Sequence, residues 1–372
     1  MRSIKWLIRL VLNRVLKFVT TAGNLISILK LFFLSYRQIQ QRKILIVSIR
    51  DFNNGRYGFQ LVNYFSKAGY DIYFYKSFRF LINLYGYDRL IFKLPKTYIW
   101  KRHKRTNSNS IIWLRLNFVD KMHKVQPKTI IDVDLNYFAV KDLGICEYKM
   151  PYYIHPVMNF YLDNINKSSK KSNILFYGSE IIQYDKFWIE KYFKKISRQD
   201  IFNYLVGSGV DMIIPESYSD FRNKFDQNRG SLFLLNRNKV NIPANDWLSI
   251  LSEFNFFVAA PGIQMPLSHN AIEAMAVGTI LILSYPEMFN PELKDGINCL
   301  VYSNFEELCQ KIEYAKKMDA QELEIMRKNV MAYFDDHIHP SGFYKKICDN
   351  NCGLIKLYLN AEESSLKELK LG

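Results

Sequence analysis

Glu273 lies between two apolar runs, Asn255 to Ala260 and Thr279 to Ser284, and just after Pro261-Gly262 and the polar cluster Ser268, His269 and Asn270. A carboxylate offers two strong acceptor oxygens, which suits a ligand with paired hydroxyls. The plainer role is an acid early in a helix that complements the helix dipole. Arg237 and Lys239 follow the apolar run "LFLLN", and Gly178-Ser179 close the run "NILFYGS". A basic pair can grip an anion such as a diphosphate, and a Gly turn lets backbone amides approach it; a surface basic pair at a strand end is the equal alternative. Asp51 is the first acidic residue of the chain, beside Arg50, Asn53, Asn54 and Arg56. It is placed to act as a general base, although such aspartates also cap loops. Asp132 and Asp134 in "DVD" could share a hard divalent cation. The motif is three residues long and far along the chain from Glu273, so no metal is expected. His337 and His339 in "DDHIHP" lack further ligands and read as a loop after a helix.

These residues need elements that bring them to one edge. Asn255 to Ala260 reads as a buried strand closed by a Pro-Gly turn. Ser268 and Asn270 are N-cap types, which places Glu273 in the first turn of a helix with Ala271, Ile272, Met275 and Ala276 on its apolar face. Gly278 ends that helix, and Thr279 to Ser284 is the next strand. The loop and helix start then face the carboxyl edge of a parallel sheet, where ligands with phosphates or hydroxyls bind. "KILIVSI", "RDFNNGRYG", "FQLVNYFSKAGY" and "DIYFYKS" read as strand, loop, helix and strand, and apolar runs continue through "TIIDVDL". A second series begins near residue 173, after the polar stretch "NKSSKKSN". The expected fold is α/β, two Rossmann-like domains facing across a cleft, preceded by a basic helical segment. Expected boundaries are 1–42 for that segment, 43–165 and 166–345 for the domains, and 346–372 for a helical tail.

The 372 residues carry a formal charge of +16, and ten of the 51 Lys and Arg precede the first acid. Lys5, Arg9, Asn13 and Lys17 recur every four residues, while Trp6, Leu7, Ile8, Val11, Val15, Phe18 and Val19 cover the other side. This pattern suits a helix lying on an anionic membrane surface; packing on its own domain is the alternative. Within residues 1–42 the longest uncharged stretch, Phe18 to Leu29, is 12 residues, short of the ~20 needed to cross a bilayer. Five cysteines without regular spacing, Cys348 and Cys352 among them, read as free thiols in a reducing compartment. The basic loop "KRHKRTNSNS" lacks the aromatic interleaving of a nucleic-acid module, so no nucleic-acid partner is expected.

The stretch "FFVAAPG" followed by "SHNAIEAMAVGTILIL" is similar to the donor-binding signature of GT-B glycosyltransferases, both the retaining group with its EAMA-x-G helix and the exostosin-like group. The resemblance is specific over about 231–318. It implies a nucleotide-sugar donor as substrate, no separate cofactor, and Glu273 accepting from the ribose hydroxyls. The diphosphate of such a donor is expected at Arg237, Lys239 and the Gly178-Ser179 turn, its hydroxyls at Ser268, His269 or Asn270 beside Gly262, and the resemblance implies a base from the first domain such as Asp51. Retaining members carry another Glu eight positions earlier, where this chain has Met265. That departure favours an inverting enzyme or an exostosin-like relative. The expected protein is a cytoplasmic glycosyltransferase on the inner face of the membrane, acting on a lipid-linked or surface-polysaccharide acceptor. Its rivals are a GT-B-like epimerase or phosphorylase, and a basic membrane- or nucleic-acid-binding protein with a degenerate site.

Overall fold

The computed structural model describes residues 2–34, 43–50, 52, 55–100, 111–117, 126–162, 165, 173–178, 187–228, 230–348 and 351–371, with backbone only at 2–12, 14, 55, 348, 370 and 371. The chain forms two compact units, residues 1–150 with 343–372, and 151–342. Strands β1 (Ile44–Ile49), β2 (Asp71–Phe74), β3 (Thr97–Ile99), β4 (Ile111–Leu116), β5 (Thr129–Asp134) and β6 (Glu147–Lys149) belong to the first unit. The second contains β7 (Asn173–Gly178), β8 (Met212–Ile213), β9 (Leu232–Asn236), β10 (Phe254–Val258), β11 (Ile280–Leu283) and β12 (Cys299–Val301). A last strand, β13 (Leu354–Tyr358), returns to the first unit.

Both sheets are parallel. The first has the order β3-β2-β1-β4-β5-β13-β6 and the second β12-β11-β10-β7-β9-β8. The inner strands β1, β9, β10 and β11 are largely apolar and buried, as expected where helices cover both faces of such sheets. All six residues of β1 are buried, in register with β2 from Ile44 opposite Asp71 and with β4 from Ile44 opposite Ile111. In the second unit Phe221, Phe233 and Phe254 are fully buried against one another. Gly278 adopts φ 72°, the left-handed turn that stops the preceding helix and that a side chain would strain.

The structure corrects three expectations. Residues 346–372 are not a helical tail: β13 inserts between β5 and β6, pairing Leu354 with Ile130 and Lys356 with Glu147. The burial pattern of β13 alternates, so its sequence lacks the apolar run that marked the other central strands. That insertion brings Cys352 to Cys146, and the two form a disulfide with 6.1 Å between Cα atoms, across 206 residues. The reading of all cysteines as free thiols is therefore overturned for this pair. Residues 151–165, assigned to the first domain on sequence, belong to the second unit.

The N-terminal segment is a single helix, α1 (Arg2–Leu34). Asn24, Ile28 and Leu31, one stripe at i, i+4 and i+7, are buried, and Asn24 Nδ2–H donates to Ile82 O and Leu84 O at 3.0 and 2.8 Å. The helix is thus docked on its own unit rather than separate from the fold. Its window Val15–Leu34 has mean hydropathy 1.4 over 20 residues, which by length and composition alone is enough to cross a membrane. The 12-residue uncharged stretch understated it because Lys17 and Lys30 sit within or beside a longer apolar face.

Candidate donor site

In the first unit, α2 (Gly55–Lys67) and α3 (Phe78–Ile82) follow β1 and β2. In the second, α4 (Arg198–Gly207), α5 (Tyr218–Gln227), α6 (Ala244–Ser252) and α7 (His269–Ala276) cover the sheet. The carboxyl edge of the second sheet collects most of the residues singled out by sequence. Gly178 ends β7 opposite Asn236 at the end of β9, and Arg237 N–H donates to Gly178 O at 2.8 Å. Asn236 then closes a turn, its carbonyl accepting from Lys239 N and Val240 N, and this turn leaves Arg237 exposed beside Tyr177. Lys239 is turned aside: its Nζ pairs with Glu216 at 2.7 Å on the surface. Ser179 and Asp51 lie outside the described residues.

After β10 the chain doubles back in a tight loop, Gly262 N–H donating to Pro266 O at 3.1 Å. A Cβ on Gly262 would stand 2.6 Å from Met265 O and 2.9 Å from Leu267 O, so this position admits only glycine in the present backbone. Met265 is buried, so the residue in place of the retaining-group Glu is part of the packing. Ser268 is the N-cap residue of α7, without a side-chain cap bond. Asn270 is half-buried on the first turn. His269 stacks on Tyr152 at 5.0 Å between centroids, and its Nδ1 lies 2.7 Å from Tyr153 O. A carbonyl only accepts, so the proton of the neutral ring resides on Nδ1.

Glu273 does not lie in the first turn of α7; it is the fifth helical residue and only 2% exposed. His155 N–H donates to Oε1 at 2.8 Å and the Trp247 indole N–H to Oε2 at 2.6 Å. Burial raises its pKa to about 6, against the opposing pull of these two hydrogen bonds. The carboxylate thus ties α7 to α6 and to His155. The dipole role expected for it has no geometric basis here.

Two further cations at this edge are not among the residues singled out from the sequence. Arg198 opens α4 after Ser197, whose hydroxyl accepts from Asp200 N at 3.2 Å. Its Cδ would lie 2.8 Å from a Cβ on Gly178, so the glycine makes room for it. Lys195 Nζ donates to Ser284 O at 2.6 Å and pairs with Glu287 at 2.7 Å. The Ser-x-x-Asp start of α4 was the available signal for Arg198. In the first unit, Arg115 forks onto both Asp132 oxygens at 2.5 Å, and Lys356 Nζ pairs with Asp134 at 3.0 Å. Arg56, near Asp51 in sequence, pairs with Glu362 at 2.6 Å.

No protein-family model and no curated protein matches the chain. Solved structures do align with it. A glycosyltransferase from Rickettsia africae aligns at 9% identity and a TM-score of 0.43, over 84% of this chain and 100% of that one. Anabaena HepE in complex with UDP and glucose aligns at 8% and 0.40, over 82% and 98%. The UDP-forming α,α-trehalose-phosphate synthase of Burkholderia xenovorans aligns at 10% and 0.37, again over 82% and 98%. Likeness at this level carries no argument of its own, and the fold rests on the strand orders themselves. This is an α/β chain of two Rossmann-like units, each built on a parallel sheet.

Proposed function

We propose that the protein is a glycosyltransferase whose second unit binds a nucleotide-sugar donor. The observation that carries this reading is the convergence of Gly178, Arg237, Arg198 and the Gly262 loop with α7 on one carboxyl edge of a parallel sheet. Such an edge binds ligands in doubly wound folds, and arginines grip a diphosphate through paired N–H groups. Ser268, His269 and Asn270 are the groups at the start of α7 available to sugar or ribose hydroxyls. The resemblance assigns ribose contact to Glu273; with both oxygens engaged and buried, its part is to hold that edge in shape. Lys239, paired with Glu216, joins the diphosphate only by leaving that partner.

Asp51 of the first unit is the proposed base, taking the proton of the acceptor hydroxyl during an inverting attack. The proposed acceptor is lipid-linked or a surface polysaccharide, and α1 holds the enzyme at an anionic membrane surface. Leaving-group charge is met by arginine rather than metal, because Arg115 and Lys356 already neutralise Asp132 and Asp134. The test is product mass after incubation with a nucleotide-sugar panel and lipid-linked acceptors, with and without excess chelator. Transfer that persists under chelation is expected. Activity lost on chelation and restored by manganese or magnesium would contradict the metal-free reading, and release of free sugar alone would contradict transfer.

A further inference from the structure

A cavity of about 610 Å³ lies in the first unit between α1, the 3-10 helix Gly86–Lys93 and the start of β3. Four of its lining residues are basic: Lys30 from α1, Arg89 and Lys93 from the 3-10 helix, and Lys96 just before β3. No acidic residue lines it, and none of the four has an ion pair among the described residues. Arg89 is held in place. A Cβ on Gly23 would stand 2.9 Å from its Nη2, so the glycine lets the guanidinium lie against α1. Its Nε is shielded from solvent and has no hydrogen-bond partner among the described residues. A shielded N–H donor without a partner costs free energy unless something else accepts from it.

The same helix presents an unpartnered apolar face. Phe18 is 75% exposed, Ile26 69% and Phe33 66%, and Val15, Val19, Leu25 and Leu29 continue the stripe. It lies roughly opposite the buried stripe of Asn24, Ile28 and Leu31, so over residues 15–34 and among the described residues α1 is docked on protein along one side and exposed along the other. Apolar area this extensive marks an interaction surface, and basic side chains beside it complement an anionic amphiphile. The strands are parallel, and the cavity adjoins Thr97, the first residue of β3. It therefore sits at the amino edge of the sheet, opposite the edge where Arg50 and Arg56 follow β1.

We propose that this cavity is a headgroup site for an anionic membrane phospholipid: its phosphate accepts from Arg89, Lys93, Lys96 and Lys30, and its acyl chains lie along the exposed face of α1. The site makes membrane attachment selective for phosphate rather than for charge alone. It rests on the membrane-surface reading of α1 but not on the identity of the reaction.

The experiment is flotation of the full chain with vesicles. One set contains phosphatidic acid; a second carries the same surface charge from a fatty-acid carboxylate; a third is zwitterionic. The wild-type protein is expected to bind the phosphatidic acid set roughly tenfold more tightly than the carboxylate set, the order expected of a charge-assisted hydrogen-bond network. Arg89→Gln, and independently Lys93→Gln with Lys96→Gln, are expected to bring that ratio near one while attachment to both anionic sets persists. The lysine pair is exposed, so it keeps the test intact if Arg89→Gln does not fold. Phe18→Ser, Ile26→Ser and Phe33→Ser together are expected to abolish attachment to both. A wild-type ratio near one, or a ratio unchanged in the lysine pair, overturns the headgroup site and leaves the membrane reading standing. No attachment of wild type to any vesicle overturns both. Millimolar inorganic phosphate at constant ionic strength is expected to lower the ratio by competing for the same four cations; a ratio unmoved by it would overturn the phosphate contact.

Discussion

Glu273→Ala is expected to lower the stability of the protein by about 3 kcal/mol. The substitution leaves the Trp247 indole N–H and the His155 amide N–H without their acceptor in a buried place, and each such orphan costs about 1–3 kcal/mol. Part of this is offset, because the buried charge is itself unfavourable. The charge has a pH signature. With its pKa raised from 4.5 to about 6, Glu273 binds a proton more tightly in the folded chain than in the unfolded one. Its favourable contribution is therefore complete below about pH 4.5 and is lost as pH rises through about 6, a change of ~2 kcal/mol. Relative to Glu273→Gln, the wild-type protein should thus gain stability on acidification from pH 7 to 4.5. Denaturant titrations at both pH values, followed by Trp fluorescence, check the two effects. An alanine variant as stable as wild type, or a pH difference of opposite sign, would refute the positioning role.

Gly262→Ala is expected to cost about 2–3 kcal/mol and to abolish nucleotide-sugar binding. Both atoms in the way are backbone carbonyl oxygens of the same loop, so no side chain can swing aside, and overpacking of this kind costs about 1–3 kcal/mol. Relief requires the loop to open, which breaks the bond from Gly262 N to Pro266 O and moves Ser268 and His269. Thermal unfolding and calorimetric titration of the variant separate the two consequences. Retained binding at wild-type affinity would remove this loop from the donor site.

The strand-loop-helix-strand of the second unit was legible because each signal is local. β10 and β11 are continuous apolar runs, Ser268 starts α7, and Gly278 stops it with a positive φ. The opening of the first sheet was legible for the same reason. What escaped was long-range. Nothing near Glu273 in sequence announces Trp247 or His155, 26 and 118 residues away. Cys352 meets Cys146 only because an alternating strand enters the first sheet from the far end of the chain. Arg198 reaches the candidate site through a void that Gly178 leaves, and a void has no sequence pattern. The basic pair Arg237 and Lys239 was read as a unit, yet the turn at Asn236 sends the two apart, and Glu216 captures the second.

The central claim is a nucleotide-sugar site on the carboxyl edge of the second sheet, and thermal unfolding in a panel of nucleotide sugars and their nucleoside diphosphates tests it most directly. A ligand that binds only the folded chain stabilises it by mass action, by ~2.7 kcal/mol at a hundredfold excess over Kd. At least one nucleotide sugar and its parent diphosphate are predicted to raise the midpoint, with the rise diminished in Arg237→Ala. A midpoint unmoved by every member of the panel at millimolar concentration would contradict the account.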